Sequence, residues 1–177
     1  MPRVPQVERS LVNHLTGAAF RIVPAGEIRA DDEAIDRIVS ICSEAAIYEW
    51  LFRRRFEGRP YGSDDARHWI RWAREGWRNG AYFVFAVVGS DGLVVAACDI
   101  KSTEPVPEIG YWCSQHHRGV MTNTVAAMCN LGRESGYRGF YARTKFGNVR
   151  SEAVLRRCGF VATESTEAGY KRFELTF

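Results

Sequence analysis

Apolar and polar positions follow a helical period in the first part of the chain. From residue 35 to residue 46, apolar side chains return every three or four positions, which predicts a helix with one buried face. Asp31 and Asp32 precede this stripe, and their carboxylates suit the free amides and the dipole at a helix N-terminus. The pattern continues through residues 50–52 and ends at the turn-forming stretch 58–62. We therefore expect one continuous helix over this region.

A second helix is predicted from Ser63, where two acidic residues precede another helical stripe of apolar side chains. Apolar residues then run almost without a break over 79–88 and 93–102, as in strands that are covered on both faces. The sequence GSDG at 89–92 is a strong turn signal between them. We therefore predict an antiparallel hairpin.

The second half of the chain alternates strands with helices. The strand–helix–strand unit over 108–143 should be a right-handed crossover with parallel strands. This order predicts an α/β fold, with a mixed sheet of about seven strands and helices on both faces. Residues 1–17 are predicted to be a loose N-terminal arm and residues 18–177 a single domain. The remaining strands are predicted near 18–25, 108–113, 137–143, 161–164 and 170–177, and the remaining helices near 124–136 and 147–160.

Composition narrows the classes of function. The 177 residues include 24 basic and 21 acidic side chains, for a net charge of +3. This even mixture gives no argument for nucleic-acid binding. Five cysteines, without a CxxC pair, argue against a zinc site or a disulfide framework and favour reduced thiols in a cytoplasmic protein. We see neither a signal peptide nor a run near the ~18 apolar residues of a membrane span. We expect no metal and no membrane partner.

The stretch QHHRGVMTN, residues 115–123, joins a predicted strand to a predicted helix. Free amides and the dipole at a helix N-terminus favour an anion such as phosphate. Gly119 allows the main chain to approach a ligand closely, and Arg118 can form a fork with a phosphate. The same stretch also fits an ordinary connector, because one glycine in such a loop is a weak signal. Neither a P-loop nor a dinucleotide-binding glycine pattern is present.

Three motifs in order resemble the GCN5-related N-acetyltransferase (GNAT) superfamily, and they are most similar to its RimJ/RimL-like branch of ribosomal-protein alanine N-acetyltransferases. The resemblance covers residues ~18–177 and implies the GNAT fold, with acetyl-CoA as co-substrate and a primary amine as acceptor. His116 stands where the family has Gln or Arg, and Met121 replaces a usual Gly or Ala. The motifs are EIGYW at 108–112, RGVMT at 118–122, and Asn148, Ser151, Leu155, Gly159 and Phe160.

The resemblance assigns the cofactor-binding residues. It implies that the backbone of residues 112–114 lies along the pantetheine arm, where one amide stabilises the thioester oxyanion. Asn148 would bond the same arm, although it could equally be a helix cap. The residues implied at the pyrophosphate are Arg118, Gly119, Val120, Met121 and Thr122, and those implied along the arm are Trp112, Cys113, Ser114, Asn148 and Ser151.

Glu108 and Ser151 are the candidate catalytic residues. Glu108 would accept the amine proton, directly or through water, and Ser151 would lie near the sulfur as a proton donor. A solvated charge at a strand end and an ordinary first-turn serine are the alternatives. Tyr48 and Trp50 are candidate acceptor-binding residues, unless they belong to an amphipathic helix with a solvated face.

The acceptor is left open between a protein N-terminus and a small-molecule amine, because one fold supports many acceptors. A different class of function, a non-catalytic sensor that binds acyl-CoA, is also left open. The sequence does not decide the oligomeric state, and a homodimer is left open.

Overall fold

A computed structural model describes residues 2–164 and 167–177 of the chain. A 3₁₀ turn at Ala25–Glu27 follows the second strand, and a π-helical turn at Tyr48–Phe52 follows the second helix. The strands are β1 (Arg9–Val12), β2 (Ala19–Pro24), β3 (Phe83–Val88), β4 (Val94–Ile100), β5 (Ile109–Cys113), β6 (Gly139–Lys145), β7 (Val161–Thr163) and β8 (Tyr170–Thr176). The helices are α1 (Asp32–Cys42), α2 (Ala45–Ile47), α3 (Ser63–Asn79), α4 (Val120–Glu134) and α5 (Val149–Arg157).

The strands form two antiparallel sheets that meet at one point. Strands β1 to β5 lie in chain order in the first sheet, and the second has the order β6-β8-β7. A parallel bridge between Glu108 and Tyr141 joins them at the start of β5. The predicted mixed α/β architecture is confirmed, as is the parallel relation of the strands that flank α4. The eight strands are divided between two sheets, because β5 and β6 diverge beyond this bridge.

Apolar cores lie on both faces of the first sheet, which explains the unbroken apolar runs of β3 and β4. Alternate residues of a strand point to opposite faces. Phe85 therefore belongs to the core beneath α4 and α5, whereas Val84 belongs to the core beneath α1 and α3. Ile38 and Ile70 close the second core and are almost fully buried. Burial of each such side chain contributes roughly 1.5–3 kcal/mol.

The predicted loose arm contains a strand. Strand β1 pairs with β2, for example through Leu11 and Phe20. Val4, Val7 and Leu11 pack against the core beneath α4. The early prolines hid this contribution, since they gave the segment the composition of a loop.

The first helix is shorter than predicted. It begins after Asp31, whose carboxylate accepts the Ala34 amide at 3.0 Å as expected, but it ends at Cys42. Glu44 then has backbone angles of φ −56° and ψ 129°, which are not helical. The apolar period continued across this break into α2 and the π-helical turn, and periodicity alone did not show the interruption. Helix α4 starts at Val120, four residues before its predicted start at residue 124.

Within the described residues, no helix combines the length and the apolar character that crossing a membrane requires. The same part of the chain holds no group of three or more His, Cys, Asp or Glu side chains arranged for a metal ion.

Candidate active site

Strand β5 has one paired edge and one open edge. The Lys101 amide donates to the Glu108 carbonyl at 3.0 Å, and the Ser114 amide donates to the Val95 carbonyl at 3.0 Å. Backbone groups of successive residues face opposite sides of a strand. Even-numbered residues of β5 therefore use their amides on β4. Odd-numbered residues direct theirs into the gap left by the diverging β6.

This alternation divides the residues predicted along the pantetheine arm. The amide of Cys113 faces the gap, whereas that of Trp112 faces β4. Ser114 is buried and its hydroxyl donates to Glu44 at 2.7 Å, so its polar groups are committed inside the protein. Tyr111, which the prediction missed, has the second amide that faces the gap. The period of two in EIGYWC could have indicated it.

The loop that joins β5 to α4 turns at Gly119, whose φ is 91°. This left-handed conformation costs glycine little and other residues more. A Cβ at Gly119 would also collide with the side chain of Asn13. In the described part of the chain, the amides of Arg118, Gly119 and Thr122 have no hydrogen-bond acceptor. Free amides at the start of a helix form an anion site.

Asn13, from the hairpin of β1 and β2, fixes the orientation of this loop. Its Nδ2 donates to the Arg118 carbonyl at 2.7 Å, and its Oδ1 accepts the Leu15 amide at 2.9 Å. The side chain is only 2% exposed. In a trans peptide the C=O and the following N–H point in opposite directions. The Gly119 amide is therefore turned away from the hairpin, toward the open side of the loop.

The side chains of the loop differ in their availability. Arg118 is exposed, and its guanidinium makes no hydrogen bond to the described residues. His116 is also exposed. His117 is half-buried and meets the ring of Phe20 edge-on at 5.8 Å; burial, and next the charge of Arg37, lower its pKa. His117 is thus partly a packing residue.

The next two predicted residues, at the start of α4, offer little to an anion. The Val120 amide donates to the His117 carbonyl at 3.4 Å. Val120 and Met121 bury their side chains in the core, so neither side chain can reach a phosphate. The Thr122 carbonyl accepts the Cys158 thiol at 3.4 Å.

Asn148 caps α5 and orients Ser151. The Asn148 Oδ1 accepts the Ser151 amide at 3.2 Å, which is the cap predicted as the alternative role of Asn148. The Ser151 Oγ lies 2.8 Å from the Tyr111 hydroxyl, and either oxygen can be the donor. Burial raises the pKa of Tyr111. The two hydroxyls form a pair that links β5 to α5.

Glu108 is held by two cations. Its Oε1 accepts from Lys101 Nζ at 2.7 Å and its Oε2 accepts from Arg143 at 2.8 Å. The side chain is only 11% exposed, so Glu108 is not the solvated strand-end charge considered above. Both oxygens are engaged, and proton transfer to Glu108 would compete with two ion pairs. The Glu108 carboxylate in turn raises the pKa of Arg143.

A family model described as "Acetyltransferase (GNAT) domain" matches residues 27–161. The chain belongs to the GNAT family. This match confirms the family that the three motifs indicated, and with it the predicted fold. A comparison with curated protein sequences gave no match.

Solved structures share this GNAT fold along almost the whole chain. Mycobacterium smegmatis RimJ in complex with CoA-disulfide has a TM-score of 0.76 and 17% identity, covering 99% of this chain and 90% of that one. The GNAT domain of S. lividans PAT has a TM-score of 0.72 and 20% identity, covering 96% and 97%. Microcin C7 self immunity acetyltransferase MccE, in complex with acetyl-CoA and AMP, has a TM-score of 0.71 and 13% identity, covering 89% and 92%. Such identities show a common fold.

The face of the first sheet that lies beneath α1 and α3, opposite the face covered by α4 and α5, carries aromatic side chains. The Trp69 and Trp112 rings lie 5.6 Å apart between centroids, and both are partly exposed. The Trp50 ring lies beside Gly147, one residue before Asn148, so it borders the loop between β6 and α5. The Tyr48 hydroxyl instead donates to the Arg59 carbonyl and closes its own loop. The structure therefore favours Trp50 over Tyr48 as a residue that faces a ligand.

Glu44 connects this aromatic side to the loop that joins β5 to α4. Its Oε1 accepts the Ser114 hydroxyl and its Oε2 accepts the Gln115 amide, both at 2.7 Å. The helix break after Cys42 places Glu44 there. Sequence reasoning missed Glu44, Asn13 and Tyr111, because the partners of Glu44 and Asn13 lie 70 or more residues away in the chain.

Proposed function

We propose that this protein transfers an acyl group, in the simplest case acetyl, from acetyl-CoA to a primary amine. The observation that carries the proposal is the continuity between the open edge of β5 and the loop at the start of α4. The five residues of β5 span about 17 Å, which is long enough to seat an extended pantetheine arm as an additional strand. The loop that follows directly has amides and an Arg118 guanidinium without partners among the described residues, and these groups suit a pyrophosphate. The residues present therefore fit the co-substrate.

Acetyl-CoA supplies an activated thioester in this reaction. The amides of Tyr111 and Cys113 face the gap, where one of them can stabilise a developing oxyanion. The Tyr111–Ser151 hydroxyl pair borders the same gap and can donate a proton to a leaving thiolate. The amine reacts directly in a ternary complex, and no covalent enzyme intermediate is formed. We place the activity in the cytoplasm, where five free thiols stay reduced.

The acceptor is a primary amine of a protein N-terminus or of a small molecule. RimJ and a microcin self-immunity acetyltransferase both share the fold, so the fold alone does not choose between these acceptors.

Binding tests the co-substrate first. We expect Arg118→Ala to weaken acetyl-CoA binding by about tenfold, as for the loss of one charge-assisted contact, and to leave binding of acetyl-pantetheine, which lacks the pyrophosphate, unchanged. The control is Arg71→Ala, since Arg71 is exposed on α3 and has no partner among the described residues. An equal loss of affinity for both ligands would show that Arg118 does not contact the pyrophosphate. No binding of any acyl-CoA would refute the proposal.

Turnover tests the transfer. Release of free thiol is measured with a panel of N-terminal peptides and small primary amines, and mass spectrometry identifies the product. We expect one class of amine to gain a single acetyl group. Tight acetyl-CoA binding without turnover of any amine would instead favour the acyl-CoA sensor.

A further inference from the structure

Asp99 is a single carboxylate in the otherwise apolar strand β4. It pairs in register with Gly110 of β5 and with the buried Val84 of β3. Val84 belongs to the core beneath α1 and α3, so Asp99 lies on that face of the sheet. Its neighbour on the same face of β5 is Trp112, which pairs with Ala97. The carboxylate therefore lies on the same face as the partly exposed indole of Trp112, whose ring is 5.6 Å from that of Trp69.

One oxygen of Asp99 is fixed and the other is free. Oδ1 accepts the Gly110 amide at 2.9 Å. Oδ2 has no partner among the described residues and is not buried out of reach of solvent. A Cβ on Gly110 would stand 2.9 Å from Asp99 Oδ1 and 3.2 Å from Lys101 Cε. The carboxylate thus covers the backbone of Gly110, one residue before Tyr111 and its gap-facing amide.

The charged groups around Asp99 differ in sign and in distance. Burial is the largest influence on the pKa of Asp99 and raises it overall. Lys101, the residue after β4, and the Gly110 amide lower this pKa, whereas Glu108, the residue before β5, raises it. The paired neighbour of Asp99 on β3, Val84, and the Trp112 side chain on the same face are uncharged. Lys101 is engaged by Glu108 at 2.7 Å, and Asp99 has no direct ion pair with any described residue.

We propose that Asp99, rather than Glu108, accepts the proton of the acceptor amine; this inference rests on the acyl transfer proposed above. As the amine nitrogen bonds to the acyl carbon, its proton passes to Asp99 Oδ2. The electron pair of the C–S bond leaves as the coenzyme A thiolate, which takes a proton from the Tyr111–Ser151 pair or from solvent. Asp99 then returns its proton to water, and the hydroxyl pair, where it was the donor, takes a proton back from water. No oxidant or metal is needed for this balance.

The same arrangement defines the class of acceptor. A carboxylate near the Trp112 indole attracts an ammonium group, through charge and through cation–π contact. An amine that arrives protonated can lose one proton to solvent and a second to Asp99 during attack. The site therefore suits a primary aliphatic amine with a free ammonium form, and it disfavours acceptors that carry a carboxylate next to the amine.

The test compares two isosteric variants. Asp99→Asn keeps an oxygen for the Gly110 amide but cannot accept the proton, and we expect kcat/KM to fall by at least about a hundredfold. Its acetyl-CoA affinity should stay within about threefold of the wild type, since it leaves the loop intact. Glu108→Gln should lose less than about tenfold. An Asp99→Asn enzyme with activity within about threefold of the wild type would overturn the proposal, as would a larger loss in Glu108→Gln.

The pH profile gives a readout that a purely structural role would not change. In the wild type, kcat/KM should fall toward acid pH through a pKa above that of an ordinary aspartate, about 3.9. This acidic limb should disappear in Asp99→Asn. If the acidic limb of the profile is unchanged in Asp99→Asn, a different group is responsible for it.

A further measurement needs no turnover. Carbon-13 NMR of carboxyl-labelled aspartate, with Asp99→Asn for assignment, follows the titration of Asp99 in the wild-type protein. A pKa at or below the ordinary value would overturn the proposal, because such a carboxylate is a poor proton acceptor near neutral pH. If the wild-type protein turns over no amine, the proposed acyl transfer itself is refuted. If the wild type turns over an amine and Asp99→Asn does so equally well, acyl transfer stands and only the role of Asp99 as proton acceptor is refuted.

Discussion

The hydroxyls of Tyr111 and Ser151 lie 2.8 Å apart and connect β5 to α5 beside the open edge of β5. If they act as one proton donor, either single change should remove most of the effect. We expect Tyr111→Phe and Ser151→Ala each to lower kcat by about 10- to 100-fold, and the double variant to be little worse. The control is Tyr141→Phe on β6, whose ring instead stacks with Arg172. Effects that multiply in the double variant would show that the two hydroxyls act independently.

Asn13 should influence co-substrate binding although it lies in the N-terminal hairpin. Asn13→Ala removes the donor to the Arg118 carbonyl and frees the peptide that carries the Gly119 amide to rotate. We expect acetyl-CoA affinity to fall by about tenfold, a free-energy change of about 1.4 kcal/mol, measured by calorimetry. Val12→Ala is the control, because Val12 is 60% exposed in the same hairpin. Equal losses in both variants would indicate a general effect on the hairpin.

The free energy of unfolding of a Gly119 variant tests the geometry of the loop. Gly119→Ala combines a left-handed backbone with a collision against Asn13, and we expect it to lower the free energy of unfolding by about 1–3 kcal/mol. Urea unfolding measures the loss. Adding Asn13→Ala removes the collision but not the backbone strain, so the double variant should be more stable than the sum of the single changes predicts. Simple additivity would mean that the two residues are not in contact.

Asp65 gives a prediction about pH and stability. Its carboxylate accepts from Arg59 and from the Gly62 amide at the start of α3, and these partners, Arg59 first, lower its pKa. A folded pKa below the unfolded one stabilises the fold fully at neutral pH, and this contribution is lost as the pH falls through the folded pKa. Asp65→Asn should cost about 1 kcal/mol at pH 7, with a smaller difference below about pH 4.

The matched control for that experiment is the neighbouring Asp64, which is exposed. Chemical denaturation of Asp64→Asn should show a smaller loss at pH 7. A difference between Asp65→Asn and the wild type that is constant from pH 3 to pH 7 would contradict the role assigned to the Asp65 carboxylate.

Much of the fold follows from signals that are local in the sequence. The Asp31 cap, the GSDG turn and the unbroken apolar runs of β3 and β4 each depend on residues within one element and its ends. The family assignment also came from short motifs, which are informative because three of them occur in order along the chain. These features could be predicted because their physical causes lie close together along the chain.

The rest depended on contacts between distant segments. Glu44 interrupts a helical period that continues on either side, and its partner Ser114 is 70 residues away. Asn13 reaches Arg118 across 105 residues. Asp99 left a detectable signal, one charge inside an apolar strand, but its importance appears only with Gly110 and Trp112 beside it. The two cationic partners of Glu108, Lys101 and Arg143, could not be seen in the sequence either, because Arg143 lies 35 residues away in the chain.

The open edge of β5 also bears on how the protein behaves between turnovers. An unpaired strand edge is a template for any extended chain, including a segment of a second, partly unfolded molecule. The divergence of β6, in which we propose that a pantetheine arm binds, therefore also leaves a strand edge that favours aggregation. A bound coenzyme would cover that edge and protect the protein during heating and storage. The gap proposed to seat the co-substrate is thus also an edge through which the protein can self-associate.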